Sequence, residues 1–314
     1  MTALGNVIRA ELYKSARKRR LYLIAGLLWV VVPMLLLLIG WLLQTRVAGT
    51  FVDEGDSVRQ IVQAVASPLA ISRNGFLLLG NLSPSLLIIV VALLATLLIG
   101  EERSHNMWKT VLVAEPSRLT VLWGKIAAGM LLLFVLMLGC YALGPLYGAL
   151  GMLFLPTTFA GDWLGLLGLY ALQWAFALAA LLFGYLLVWW IRSQPVAVVA
   201  IFFLPAMLEG AYSFYRAVVG FERLNRLNAI LQALELRGTF EELPKYFFTS
   251  NLYAPAREPL SQLTQVFGAD VQLGGSPLGD LFAADFTRAA IVMGFYALLF
   301  GALLFWSFAK RDIT

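Results

Sequence analysis

Charge is scarce in this chain. Asp, Glu, Lys and Arg make up 13% of its 314 residues, against about 25% in a soluble globular domain. A protein with so little charge cannot keep its whole surface wet, and a mean hydropathy of +0.82 puts most of that surface against something other than water. There is one cysteine, Cys140, which excludes an intrachain disulfide, and one histidine, His105, which cannot build a metal site alone. No Gly-x-x-x-x-Gly-Lys-Ser/Thr phosphate loop occurs, so the chain carries no recognisable ATP site of its own. An intramembrane protease or lipid transferase would need a nucleophile with its base, a metal cluster or paired carboxylates inside the membrane. None of these is visible.

Long apolar runs are what the chain does have. Several exceed the roughly 20 residues needed to cross a ~30 Å hydrocarbon core at 1.5 Å per residue. The sequence predicts an all-α polytopic membrane protein with six spans, at about 21–43, 78–100, 126–147, 163–191, 196–215 and 288–309. The run from Leu21 to Leu43 is too long for the roughly 7–15-residue apolar region of a cleaved signal and is taken as a retained first span. Residues 1–20 form a separate interfacial segment, and 21–314 a single membrane domain. In that segment Leu4, Val7, Ile8 and Leu12 share one side of a helix, and Lys14, Arg17, Lys18, Arg19 and Arg20 form a basic end suited to lipid headgroups rather than nucleic acid. Gly144-Pro145 is expected to kink or end the third span, and a polar stretch at 44–75 to link the first two outside the membrane.

Basic residues set the orientation. With the N-terminus inside, the cytoplasmic pieces 1–20, 101–125, 192–195 and 310–314 hold 13 of the 23 Lys and Arg in only 54 positions, the asymmetry of a multi-pass protein of the inner (cytoplasmic) membrane with both ends cytoplasmic. The long segment 216–287 then lies outside. Leu224, Leu227, Leu231 and Leu234 stand at helical spacing within it, and Gly274-Gly275-Ser276-Pro277 reads as a turn.

The stretch with most information runs from Glu101 to Lys125, between the second and third spans. Glu101, Glu102 and Arg103 leave the membrane. Met107, Trp108, Lys109, Val111 and Leu112 then form a short helix with an apolar side, Pro116 breaks it, and Ser117 is placed to cap the next turn ahead of Arg118. Taken singly, Arg118 and Lys125 are expected to be anchors facing headgroup phosphates. This order of acidic pair, Trp-Lys-Thr, two aliphatics, Pro-Ser-Arg and Gly-Lys resembles the cytoplasmic loop of type-2 ABC exporter permeases. The resemblance is nearest to those of antibiotic-resistance, bacteriocin-immunity and nitrous-oxide-reductase maturation systems. Glu11-x-x-Lys14-x-x-Arg17 is similar to that family's elbow helix, and the six-span layout and the closing Lys310-Arg311-Asp312 agree with it.

The resemblance implies a transmembrane permease subunit and no enzyme. A separate ABC ATPase would bind ATP and Mg and press on a coupling helix within 101–118. A second permease chain, identical or not, would complete the pore among membrane lipids. Glu101, Glu102 and Arg103 would orient that helix through charge pairs, while Met107, Trp108 and Leu112 filled a groove on the partner. An ion-coupled secondary transporter and a non-transporting scaffold subunit remain alternatives. The first typically shows inverted repeats and several buried charges, whereas here Glu209 stands nearly alone within the spans. Glu209 lies roughly 20 Å along the fifth span, where an ionisable group suggests a path or gate. Pro205 and Gly210 beside it suggest that this span is broken. Gln173, in the fourth span, is placed to bond a neighbouring helix.

Overall fold

The chain is a bundle of helices in a computed structural model, which describes residues 3–47, 55–78, 86–104, 117–191, 193–219, 242–256 and 285–310. Helix α1, Ala3–Ala16, leads after a short turn into α2, a helical run over Arg19–Arg46. Helix α3 is Gly55–Ala66, and α4 is Pro68–Arg73, extended by a π turn through Leu78. Helix α5 starts at Leu86, passes through a π turn at Thr96–Gly100 and ends with the turn Glu101–Ser104. The remaining helices are α6 (Arg118–Gly151), α7 (Trp163–Trp190), α8 (Gln194–Val219), α9 (Phe248–Leu252, after a 3-10 turn at Leu243–Tyr246) and α10 (Phe286–Lys310).

Among the described residues, five stretches are long and apolar enough to cross a membrane: α2, α6, α7, Gln194–Tyr212 of α8, and α10. The expected second span is described only from Leu86, since 79–85 lie outside the described residues. Its apolar part is buried without interruption from Leu94 to Gly100, so neighbouring helices rather than lipid enclose it. The outer helix expected near 224–234 and the turn at 274–277 also lie outside the described residues.

Helix α6 is the spine of the bundle. At 34 residues it is about 50 Å long, and α1, α4, α5, α7 and α10 all pack on it. Four of its carbonyls accept a side-chain hydrogen bond from another helix. Tyr185 Oη donates to Lys125 O at 3.0 Å, Trp174 Nε1 to Met130 O at 3.0 Å, Trp29 Nε1 to Leu136 O at 2.9 Å and Ser72 Oγ to Tyr141 O at 3.3 Å. Buried indole and hydroxyl groups need acceptors, and in an apolar setting the second lone pair of a helical carbonyl supplies one. Small residues let the donors in. A Cβ on Gly129 would strike the Tyr185 hydroxyl, and one on Gly139 the Trp29 ring.

Two expectations are corrected and a third is refined. The stretch 44–75 is more than a polar link, because α3 lays Val58, Val62 and Val65 against Val32, Leu36 and Leu37 of α2. Helix α4 in turn runs antiparallel along the far half of α6, with Pro68 at Gly148 and Ser72 at Gly144. Polar content misleads here, since Ser67, Ser72 and Asn74 are all buried and hydrogen-bonded. Gly144-Pro145 does not end the third span. The ring of Pro145 removes the amide that would bond Tyr141 O, and the Ser72 hydroxyl takes that carbonyl instead, so the helix continues to Gly151. The fifth span is not broken either: α8 passes through Pro205 and Gly210 as one α-helix. Losing one internal bond does not open a helix where no water competes for the rest.

The close seam between α4 and α6 gives a test. Gly148→Ala drives a Cβ into the Pro68 backbone and is expected to cost about 1–3 kcal/mol, seen as a lower thermal unfolding midpoint in detergent. Gly294→Ala, where a Cβ meets nothing within 4 Å, should leave the midpoint unchanged or raise it slightly.

Candidate functional site

Charged side chains gather at the end of the bundle where α1 packs, α5 finishes and α6 begins. Each is placed by its helix. Glu11 and Lys14, three residues apart, project from the same side of α1. Glu102 sits in the last turn of α5, one turn beyond its buried apolar run. Lys125 lies two turns into α6, after Ser117 caps that helix by accepting from the Thr120 amide at 3.4 Å. Gly124 lets α1 approach, since a Cβ there would collide with Val7. The apolar side of α1 therefore rests partly on α6.

The four groups close a ring. Glu11 Oε1 accepts from Lys125 Nζ at 2.7 Å, and Glu11 Oε2 from Lys14 Nζ at 3.3 Å. Glu102 Oε1 pairs with Lys14, and Glu102 Oε2 lies 2.8 Å from Lys125, a contact whose angle makes it an ion pair rather than a hydrogen bond. Lys125 also donates to Leu98 O at 2.8 Å and is 0% exposed. Two carboxylates and two ammonium groups make the ring neutral, which is what allows it to be buried. Burial opposes the Glu102 carboxylate, yet Lys125 and Lys14 outweigh it and hold the pKa below the ordinary 4.5. Burial likewise opposes the Lys14 ammonium, but Glu11 and Glu102 win and hold its pKa above 10.5.

A second tier surrounds the ring. Lys18 pairs with Glu101, and Arg20 reaches Glu101 at 3.4 Å. Burial, then the positive charges of Lys14 and Arg20, push the Lys18 pKa down. Arg103 donates to the carbonyls of Val188 (3.1 Å), Trp189 and Ile191 (3.4 Å), and its guanidinium lies over the Trp189 ring at 5.4 Å. It thereby fills acceptor positions left open at the end of α7. Trp189 and Trp190 both donate to Ser307 of α10, so the tie extends to the last helix.

The structure thus unites Glu11, Lys14, Glu101 and Glu102 and brings Arg103 beside them. Arg17 stands apart, stacked at 4.3 Å on Tyr13. Arg118 opens α6, half-buried. Met107, Trp108, Lys109, Val111, Leu112 and Pro116, with His105, lie outside the described residues. One expectation changes and another lies outside the described residues. Among the described residues, Glu101, Glu102 and Arg103 meet α1, α6 and the end of α7, while their expected pairing with a helix within 105–116 falls on residues outside that set. Lys125 is no headgroup anchor but the most deeply buried member of the ring. Its signal in the sequence was its setting, in Trp123-Gly124-Lys125-Ile126, a lone charge behind a glycine in an apolar helix.

Glu209 belongs to another region. Its carboxylate accepts from the Thr249 amide at 2.9 Å and from the Thr249 hydroxyl, joining α8 to the start of α9. Gln173 Nε2 donates to Leu252 O at 3.0 Å, fastening the other end of α9 to α7. Beside this hairpin is a cavity of about 410 Å³ walled by Phe183, Pro205, Glu209, Phe248, Tyr296 and Phe300. Among the described residues no three His, Cys, Asp or Glu side chains converge to hold a metal ion.

Residues 7–208 match the model of a family described as ABC-2 family transporter protein. That is more than half of the chain, and the chain belongs to this family. The match takes in every member of the charged ring. No curated protein matches the chain at a significant level.

Removing one ring member strands the others. Lys125→Met is expected to destabilise the protein by about 3–5 kcal/mol, and Lys125→Met with Glu102→Gln by less than Lys125→Met alone, measured as unfolding midpoints of the two variants. The pH window follows from the two shifted groups. Glu102, whose pKa falls on folding, contributes stability above 4.5 that is lost as pH drops through its lower folded value; Lys14, whose pKa rises, contributes below 10.5 and fails only above that. A spin label on Val7→Cys, at the contact with Gly124, should therefore stay immobilised across neutral pH and become mobile only under acid that drops below the ordinary carboxylate range.

Proposed function

With membership of the ABC-2 transporter family as the premise, we propose that this chain is the transmembrane permease subunit of an ATP-driven exporter. We further propose that the segment between Glu102 and Lys125 receives the stroke of a separate ABC ATPase. Membership makes the chain a multi-pass membrane component and implies an ABC ATPase partner in general terms. The coupling assignment is our own. The observation that carries it is the ring: the last charge before the segment, Glu102, and Lys125 just after it are both bonded into one neutral cluster with α1. A push on 105–116 is delivered to two fixed points and from them to the elbow helix and the spine together. Two packed helices bound by paired charges move as one body, because parting them leaves bare charge away from water.

The wider arrangement follows from that reading. The charged end of the bundle faces the cytoplasm, with both chain termini on that side of the inner membrane. The stretch at about 78–100, whose described part belongs to α5, supplies a sixth crossing. Two permease chains share the pore, and Glu209, latched to Thr249, serves as a gate beside the aromatic cavity. On the pattern of 101–125 we place the chain nearest the permeases of antibiotic-resistance, bacteriocin-immunity and nitrous-oxide-reductase maturation systems. ATP and Mg act on the partner.

The coupling assignment is tested by Met107→Asp with Trp108→Asp. This pair should insert into the membrane normally yet fail to co-purify with the ATPase subunit. Association at the wild-type level would overturn the assignment, and absence of any copurifying ATPase from the wild type would overturn the permease reading itself.

A further inference from the structure

The end of the bundle away from the charged ring holds a cavity that the transport reading does not use. It has a volume of about 660 Å³ and lies between α3, α4 and the segment that follows α6. Its polar lining includes Arg59, Gln60, Gln63, Ser67 and Arg73, and its apolar wall includes Leu69. Among the described residues no acid lines it.

The walls are fixed rather than fortuitous. Helix α3 buries Val58, Val62 and Val65 on α2, which turns Arg59 and Gln60 outward. Gln63 clamps the opposite wall. Its Nε2 donates to the Thr158 hydroxyl at 2.8 Å, and its Oε1 accepts from the Thr158 amide at 2.9 Å. Arg73 is aimed by two bonds, from Nε to Asn74 Oδ1 at 3.3 Å and from Nη2 to Ala64 O at 3.4 Å, and Asn74 is itself buried and donates to Ala64 O at 3.0 Å. Arg73 thus puts a positively charged guanidinium in the cavity wall. Arg59 has no hydrogen-bond or ion-pair partner among the described residues.

We propose that this cavity is a binding site for an amphiphile with a phosphate-bearing anionic head, the head held between Arg59 and Arg73 and the apolar body laid along Leu69, Ala70, Pro156 and Ala160. Charge and shape support this together. Guanidinium groups match the fork of phosphate oxygens, and one polar flank facing one apolar flank suits a molecule divided in the same way. The site lies where α2 ends at Arg46 and α6 at Gly151, one helix length from the charged ring. In a bilayer that is the headgroup level of the opposite leaflet. The inference needs no ATPase and stands apart from the coupling assignment.

The test uses the full chain in lipid nanodiscs with a phosphatidylglycerol carrying a photoreactive group on its acyl chain, and mass spectrometry to map the crosslinks. Crosslinks are expected in residues 59–73 and 156–160, with about tenfold lower yield for Arg59→Glu, the size of effect set by one charge-assisted contact. Arg59 is exposed and supports no fold contact among the described residues, so the variant keeps its structure, which an unchanged unfolding midpoint verifies. Mapping by peptide separates this site from the basic residues of α1. Excess inorganic phosphate distinguishes the sources: an unchanged yield identifies a lipid occupant, and a loss identifies a soluble phosphate as competitor for the same head site. No crosslink in these peptides, an equal yield from a matched phosphatidylcholine probe, or a yield indifferent to Arg59→Glu would each overturn the proposal.

Discussion

Glu11, Glu102 and Lys125 have left water behind and, with the half-exposed Lys14, must find one another, and in this protein the partners lie far apart in sequence. Glu11 and Lys125 are 114 positions apart and meet at 2.7 Å; Lys14 and Glu102 are 88 apart. None of the four can be buried alone, since an isolated charge in a low-dielectric interior costs several kcal/mol or more. The ring therefore forms as a unit or not at all. Its formation fixes α1 on α6, ends α5 at a defined height and brings the Glu101 and Arg103 contacts into reach. A buried ion cluster is weak evidence of extra stability, and its significance here is positional: it specifies which helix ends stand together.

The same demand for internal partners explains the spine. Trp29 comes from α2, Ser72 from α4, and Trp174 and Tyr185 from α7, and each finishes on a carbonyl of α6. The bonds are spaced along the helix, so the bundle is pinned at several depths instead of sliding as a greased stack. Glycine supplies the approach at Gly129, Gly139 and Gly144, where a side chain would displace its neighbour. Small residues and polar donors are what hold helices together where burial of apolar area offers little advantage over lipid.

The two ends of the bundle contrast in chemistry. One is neutralised, its opposite charges locked in a ring beside Trp189 and the Ser307 hydroxyl. The other has guanidinium groups in an open cavity beside an amphipathic helix. Between them, α8 and α10 present Val199, Phe203, Met207, Ile291, Phe295 and Leu298 outward. A transporter that rocks between states needs one end rigid enough to receive force and another able to rearrange, and this distribution of ion pairs is compatible with that division.

Composition and hydropathy alone marked the chain as a multi-pass membrane protein, and positive-charge asymmetry gave an expectation for its sides. Apolar runs located α2, α6, α7, α8 and α10, because a helix long enough to span announces itself in any window of its own residues. The Glu101–Lys125 pattern and the Glu11, Lys14 spacing singled out residues that the structure brings into one charged ring. Sequence could not pair them. A lone charge behind Gly124 marks Lys125 as unusual, but only α1 and α5 brought against it distinguish a buried ring member from a headgroup anchor. Pro145 and Pro205 looked like breaks for a similar reason: a missing amide is visible in the sequence, whereas the Ser72 hydroxyl that takes the carbonyl freed by Pro145 comes from 69 residues away. Local periodicity decides which segments become helices. Only tertiary structure decides which of their polar groups are satisfied, and by what.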